Sequence, residues 1–502
     1  MIKLPLKIEL AGFNVDRETL RGLVSAAYDN GEAPPREAIT PETLSAAYAR
    51  ISRNPSDIHD IRAKSRVEVE EARRSNEKIV FGLGHSSVAE HAVFNLDVTG
   101  ISRLAVEAIQ RHRLASFTEK SQRYIKLDGD VVIPPELITV GLAEEFRELI
   151  VEQNKTYRVI EAKLFDLYFP RFKADGGGRP KTRARGKAAE DARYVVSLAT
   201  QSQFGMTVNA RVLESMIRDA LAHPLEELKE VGRQLRDQTH ELAPSLIKYV
   251  ESTDYEQSQF KRSCHWPDND PGGNTQQAAV SLIDYSKDGE DNILTALIFH
   301  NEGCGWTEAR TRANFLSTEA RNSLIQRALQ PNAAWDPAPR EFELADFSFE
   351  LMLSSAAFGQ LKRHRISTQI TGPYDVSLGW TTPESIEEAG MKEVFDEVLQ
   401  RSAQFANRIA DSGLNMKPVA PYALCNAHRR RVIFKANARE LYHISRLRED
   451  IHSQWDIRNL ATQMLQIASE KMPSLFVMAT GKHHFADRRQ RVFKEDVKET
   501  PS

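Results

Sequence analysis

The segment Leu6-Lys7-Ile8-Glu9-Leu10 alternates apolar and charged positions. That two-residue period predicts a strand with one buried face, and a helical stretch follows it. Ala278-Ala279-Val280-Ser281-Leu282-Ile283-Asp284-Tyr285 is read as another strand, just past the middle of the 502-residue chain. Two short apolar runs of helical character, Ile101-Ser102-Arg103-Leu104-Ala105-Val106 and Leu353-Ser354-Ser355-Ala356-Ala357-Phe358, each lead into the same tripeptide. The copies are Arg111-His112-Arg113 and Arg363-His364-Arg365, 252 residues apart. A repeated tripeptide alone is weak. Repeated at half the chain length and in the same context, it indicates two copies of one module.

A further landmark supports the duplication. Asn209-Ala210-Arg211 and Asn437-Ala438-Arg439 each open an amphipathic helix. The distance from Arg-His-Arg to this triplet is 98 residues in the first copy and 74 in the second, so the first carries an insertion. Its expected place is the glycine- and arginine-rich stretch 173–187, read as a flexible basic loop. The Pro/Gly/Asp cluster of Cys264-His265-Trp266-Pro267-Asp268-Asn269-Asp270-Pro271-Gly272-Gly273-Asn274 is read as a linker. The expected division is a first module over 1–262, a linker over 263–274, a second module over 275–494 and a disordered tail over 495–502.

Composition narrows the class. Charged residues make up 27% and hydrophobic residues 41%, as in ordinary globular proteins. The net charge of −3 makes any phosphate binding a local matter, so a nucleic-acid partner is not expected. Three cysteines, Cys264, Cys304 and Cys425, lie far apart and form no CxxC. They fit a reducing compartment, and a cytoplasmic location is expected. No apolar run approaches a membrane span and the N-terminus does not read as a secretory signal, so no membrane association is expected. His85, Glu90 and His91 have the spacing H-x₄-E-H, unlike the zinc-hydrolase patterns, so no metal is expected. Two guanidiniums flanking an imidazole at a helix end suit an anion, since Arg grips phosphate bidentately and stays charged. The structural alternative for Arg363 and Arg365 is a basic helix C-terminus that favours the macrodipole.

Past the first Arg-His-Arg come seven residues and then Ser121, with Glu119, Gln122, Arg123 and Tyr124 around it. Upstream lie His85-Ser86-Ser87-Val88-Ala89-Glu90-His91 and Phe94. Downstream, in the second copy, the Asn437-Ala438-Arg439 helix continues through His443 and Arg448 to His452-Ser453-Gln454-Trp455-Asp456-Ile457-Arg458. In combination these resemble the flavin-dependent thymidylate synthases. The resemblance implies an α/β (α+β) fold of two tandem modules of the thymidylate-synthase-complementing-protein type, each a mixed sheet with long helices. It also implies an FAD enzyme that transfers a methylene from methylenetetrahydrofolate to dUMP, with NADPH as reductant. Family members are homotetramers, so a fused chain is expected to form a homodimer that makes a pseudo-tetramer. No Rossmann or P-loop glycine pattern is evident, and FAD binding rests on the resemblance.

Each copy departs from the family pattern, in different places. In the second copy Thr371, Pro373 and Asp375 stand where the first has Glu119, Ser121 and Arg123. Pro421 stands where the first has Arg193. In the first copy Ala108 and Ala220 stand where the second has Gln360 and Arg448. The losses are complementary. In the family one nucleotide site draws on two subunits, so the resemblance implies a composite dUMP site with Gln360, Arg363 and Arg448 from the second module, and Glu119, Ser121, Gln122, Arg123 and Arg193 from the first. The other site would be nearly empty.

The resemblance assigns roles that suit the chemistry. Arg123, Arg193 and the Ser121 hydroxyl suit the nucleotide phosphate. Gln360 offers donor and acceptor to the ring edge, and Arg448 can stabilise charge developing on the pyrimidine. Arg448, Ser121 and His85 are the candidates for catalysis. Ser121 has a nucleophile's spacing but no evident Ser-His-Asp arrangement, which favours binding. For FAD the candidates are Arg111, His112, Arg113, Arg363, His364, Arg365, Glu119, Asn437, Arg439 and His443. Two other readings stand beside this one: flavin-dependent methylation of another pyrimidine nucleotide, and a non-catalytic nucleotide- or RNA-binding protein on a decayed synthase fold.

Overall fold

The computed structural model describes residues 5–28, 33–34, 36–121, 130–263, 278–413 and 415–494. Gln122, Arg123, most of the expected linker and the expected tail lie outside these residues. The described part divides into two compact units. One holds the residues up to 263 together with Glu384–Cys425; the other holds those from 278 to Pro383 and from Asn426 onward. Residues 384–425 thus belong to the second repeat by sequence and to the first unit by packing.

The first unit contains strands β1 (Lys7–Phe13), β2 (Val93–Ser102), β3 (Ser116–Glu119) and β4 (Gln201–Asn209), in the sheet order β1-β2-β4-β3. The second contains β5 (Val280–Tyr285), β6 (Asp346–Ser354), β7 (Thr368–Tyr374) and β8 (Arg429–Asn437), in the order β5-β6-β8-β7. The duplication extends to strand order. Every strand pair in both sheets is antiparallel, so the sheets are not the mixed ones expected. The burial pattern agrees: Phe94, Leu96 and Val98 alternate with more exposed neighbours, as do Val432, Phe434 and Ala436. One-faced burial is the habit of antiparallel sheets.

The repeated motifs are helix starts. Ser102 caps Arg103–Ile109 and Ser354 caps Ser355–Leu361, each hydroxyl accepting from the backbone N–H three residues on. Each capping hydroxyl also donates to a buried acid on a later helix, Glu227 for Ser102 and Asp456 for Ser354. Asn209 and Asn437 cap Ala210–Ala222 and Ala438–Arg448 in the same way. Each cap satisfies an otherwise orphaned N–H and fixes where its helix begins.

Two long helices, Ala143–Ala174 and Lys392–Asp411, pack within the first unit. Each follows a short helix closed by a left-handed glycine, Gly141 (φ 74°) and Gly390 (φ 66°). In both, the next residue's N–H bonds back five residues, Leu142 to Leu137 and Met391 to Ile386. That is a Schellman closure, which glycine permits without a Cβ penalty. In the register set by these glycines, Glu152 matches Arg401 and Gln153 matches Ser402, and both matched pairs are in contact. Contact between equivalent positions is the mark of a local two-fold.

The stretch 173–187 is not the loop its composition predicted. The first long helix ends at Ala174, a short turn follows, and Pro180–Ala192 is a second helix packed back on the first. Proline at the first helical position and an alanine-rich continuation favour helix, and they outweigh the glycines before it. Its basic side chains are engaged: Arg183 lies over Phe172 and pairs with Asp175, and Arg185 lies over Phe165. No helix among the described residues is long and apolar enough to cross a membrane.

Candidate active site

In the second unit the β6 helix ends just before Arg363-His364-Arg365, and the β8 helix carries Arg439, Glu440, His443 and Arg448. Arg363 and Arg365 are exposed, whereas His364 turns inward and is 2% exposed. Its Nε2 lies 2.9 Å from Arg448 Nε, and its Nδ1 lies 3.1 Å from Glu440 Oε1. Arg448 also donates from NH1 to Gln360 Oε1 at 3.2 Å. A guanidinium only donates, so the Gln360 atom facing it must be the carbonyl oxygen, with the amide NH₂ turned the other way. Three residues singled out in the sequence, Gln360, His364 and Arg448, therefore meet within one unit.

Burial drives the His364 imidazole well below its ordinary range, and the Arg448 guanidinium and His443 push the same way. Burial raises the Glu440 carboxyl, opposed by His443 and Arg439. His364 is thus neutral, and its contact with Glu440 is a hydrogen bond from imidazole N–H rather than an ion pair. The His443 ring stands edge-on to His364 at 5.7 Å and borders a cavity of about 290 Å³ with Trp335, Ala338, Arg446 and Leu447 among its walls.

Other flavin candidates have structural duties here. Asn437 is a helix cap. Arg439 donates to the Ala338 carbonyl at 2.7 Å and pairs with Glu343 at 3.0 Å.

The first unit fills the same scaffold differently. Arg111 and Arg113 are exposed, with His112 half-buried between them. Asp219 Oδ2 lies 2.6 Å from Arg111 NH2 and 3.5 Å from His112 Nε2. Burial lowers His112 to about 4, which Asp219 opposes and Arg111 reinforces. His223 is lowered to about 3, by burial first and then by Arg111 and Lys229. Glu119 is held by Arg103 at 3.1 Å, with Ser202 and Gln110 also donating to it. Arg193 is buried and donates from Nε to the Glu190 carbonyl at 3.3 Å. Ser121 is half-buried beyond β3, and His85 is exposed before the turn Ser86–His91. Burial pushes the Cys425 thiol up to about 12, which keeps it protonated.

Sequence reading gave no role to Glu440 or Asp456, which lie within the family-like segment, and missed Asp219 and Glu227. Glu227 and Asp456 had a signal, since each stands second in the helix that follows the Asn-Ala-Arg helix. Glu440 and Asp219 carry no such pattern.

Comparison with known proteins follows this geometry. The sequence profile described as thymidylate synthase complementing protein matches twice, over residues 37–245 and 281–474. A flavin-dependent thymidylate synthase of Clostridium tetani is 30% identical over 212 residues, 42% of this chain and 82% of the relative. The UPF0159 protein of Thermoplasma acidophilum is 25% identical over 483 residues, covering 86% of this chain and 93% of the relative. A UPF0159 protein of Chlamydia pneumoniae is 21% identical over 473 residues, covering 89% of this chain and 87% of the relative. The first relative matches less than half of this chain, whereas the two UPF0159 proteins match most of it.

Proposed function

Since the chain belongs to the thymidylate synthase complementing protein family, we propose that it is a tandem flavin-dependent thymidylate synthase, converting dUMP to dTMP with methylenetetrahydrofolate as carbon donor and NADPH as reductant. The observation that carries this reading is the arginine of the second unit, Arg448, held jointly by Gln360 and His364.

A uracil ring attacked at carbon accumulates negative charge on its nitrogen and carbonyl oxygens. Arg448 is the donor for that charge. It never deprotonates, and its two partners fix its position before substrate arrives, which is how electrostatic preorganisation lowers a barrier. The Gln360 amide NH₂ is the donor for a ring carbonyl. Arg363 is exposed at the same helix end. The first module contributes Glu119, Ser121, Gln122, Arg123 and Arg193, with the cations and the serine hydroxyl taking the phosphate.

The donor chemistry fits a dinucleotide. Exposed Arg111, Arg113, Arg363 and Arg365 suit its diphosphate, and His443 borders a cavity of about 290 Å³. FAD, when bound, supplies the hydride carrier. The protein's share is to bind, orient and exclude water. Two chains are expected to assemble as a homodimer, with one working site per chain.

The test is the visible absorbance spectrum of the purified protein before and after adding dUMP. Flavin bands that shift with dUMP are the expected result. A colourless protein that takes up no added FAD would overturn the reading.

A further inference from the structure

We propose that Glu440, acting through His364, is a positioning residue for Arg448. The inference rests on the synthase reading, because it presumes that Arg448 meets the pyrimidine. Arg448 Nε carries a hydrogen and no lone pair, so at 2.9 Å the facing His364 Nε2 must accept. A neutral imidazole with Nε2 unprotonated carries its proton on Nδ1. That N–H points at Glu440 Oε1, 3.1 Å away, which accepts it. The order Glu440, His364, Arg448, Gln360 is thus a directed chain, each bond fixing the next group's orientation. Without the acceptor at Glu440 the Nε2–H tautomer becomes competitive. It would set N–H against N–H and release the guanidinium. The partner of one ring nitrogen decides what the other can do.

The same logic decides between this reading and another. His364, Glu440 and His443 bring three potential metal-ligand atoms within 4.8 Å of one another. A metal would need the Nδ1 lone pair. That would place the proton on Nε2, facing the Arg448 N–H. The guanidinium therefore favours the relay over a metal centre.

The first module supplies the control. In the register of the Asn-Ala-Arg triplets, Val212, Ser215 and Ala220 stand where the second has Glu440, His443 and Arg448. The same scaffold accepts valine at the relay position, so Glu440→Val is a substitution the chain already tolerates in its other copy.

The experiment compares Glu440→Val, Glu440→Gln and Arg448→Ala as full-length holoenzymes. Glu440→Val is expected to lower kcat by about 10- to 100-fold, the scale known for losing the outer partner of a metal-bound histidine, and to weaken dUMP binding less than Arg448→Ala does. Glu440→Gln keeps a carbonyl acceptor and is expected to restore activity to within a few-fold of the parent. If Arg448→Ala retains full turnover, the synthase reading of this site fails. If Arg448→Ala collapses while Glu440→Val turns over like the parent, the relay fails and the reading survives. Nitrogen NMR of labelled histidine in the unmodified protein, with His364→Gln used only to assign the signal, reads the tautomer directly. The Nδ1–H tautomer is expected, unchanged by added zinc. An Nε2–H tautomer, or zinc bound at Nδ1, would overturn the proposal.

Discussion

The two Arg-His-Arg sites share a backbone and differ in what meets the histidine. In the second unit the β8 helix presents an arginine to the histidine's Nε2; in the first, the matching β4 helix presents a carboxylate. The substitution inverts the local demand for a proton. Arg448 requires an acceptor and holds His364 neutral, whereas Asp219 favours a charged His112 that burial and Arg111 resist. The serine caps, the asparagine caps, the glycine closures and the strand order are common to both. The scaffold is present twice, and the polar side chains that meet the histidine differ between the copies.

Arg448→Ala is expected to lower kcat by about 100-fold or more, the scale of losing a preorganised donor. The mirror change, Ala220→Arg, is expected to leave steady-state rates as they were. The scaffold should respond in both copies alike. Ser354→Ala and Ser102→Ala each remove a cap and one hydroxyl donor to a buried acid, at a cost of about 1–3 kcal/mol. Urea denaturation checks this, and a loss confined to one copy would contradict a shared scaffold.

A pH effect follows from the first unit's histidines. His112 and His223 titrate near 4 and 3 when folded, below the ordinary value of 6.5. Between those values and 6.5 the unfolded chain binds protons that the folded chain does not, so their contribution to stability falls as pH falls. Each adds a slope of up to about 1.4 kcal/mol per pH unit. The double variant His112→Gln, His223→Gln should flatten the stability profile between pH 4 and 6.5. The smallest effect belongs to the exposed Arg211–Glu90 pair, whose loss in Arg211→Ala should cost under about 1 kcal/mol.

Much of this was legible in the sequence, for physical reasons. The duplication declared itself because Arg-His-Arg and Asn-Ala-Arg sit at fixed helix boundaries, where cap geometry restricts residue choice. Gln360 and Arg448 were singled out by the family resemblance, with the comparison of copies showing which module keeps them, and the structure joins them through one hydrogen bond. The stretch 173–187 was misread because glycine and charge were weighed above Pro180 and the alanines that continue the helix. The antiparallel order was not legible, since short apolar runs do not reveal their pairing partners. The role of Glu440 was not legible for another reason. The residue looks like any helix glutamate until the fold brings His364, 76 residues earlier in the chain, against it.

One working site per chain is a stoichiometry, and counting bound dUMP decides it. The flavin-loaded protein is titrated with dUMP while the flavin absorbance is followed. The account predicts an end point at one dUMP per chain, lost in Arg448→Ala and retained in Ala220→Arg. An end point at two per chain, or binding that survives the loss of Arg448 unchanged, would contradict it.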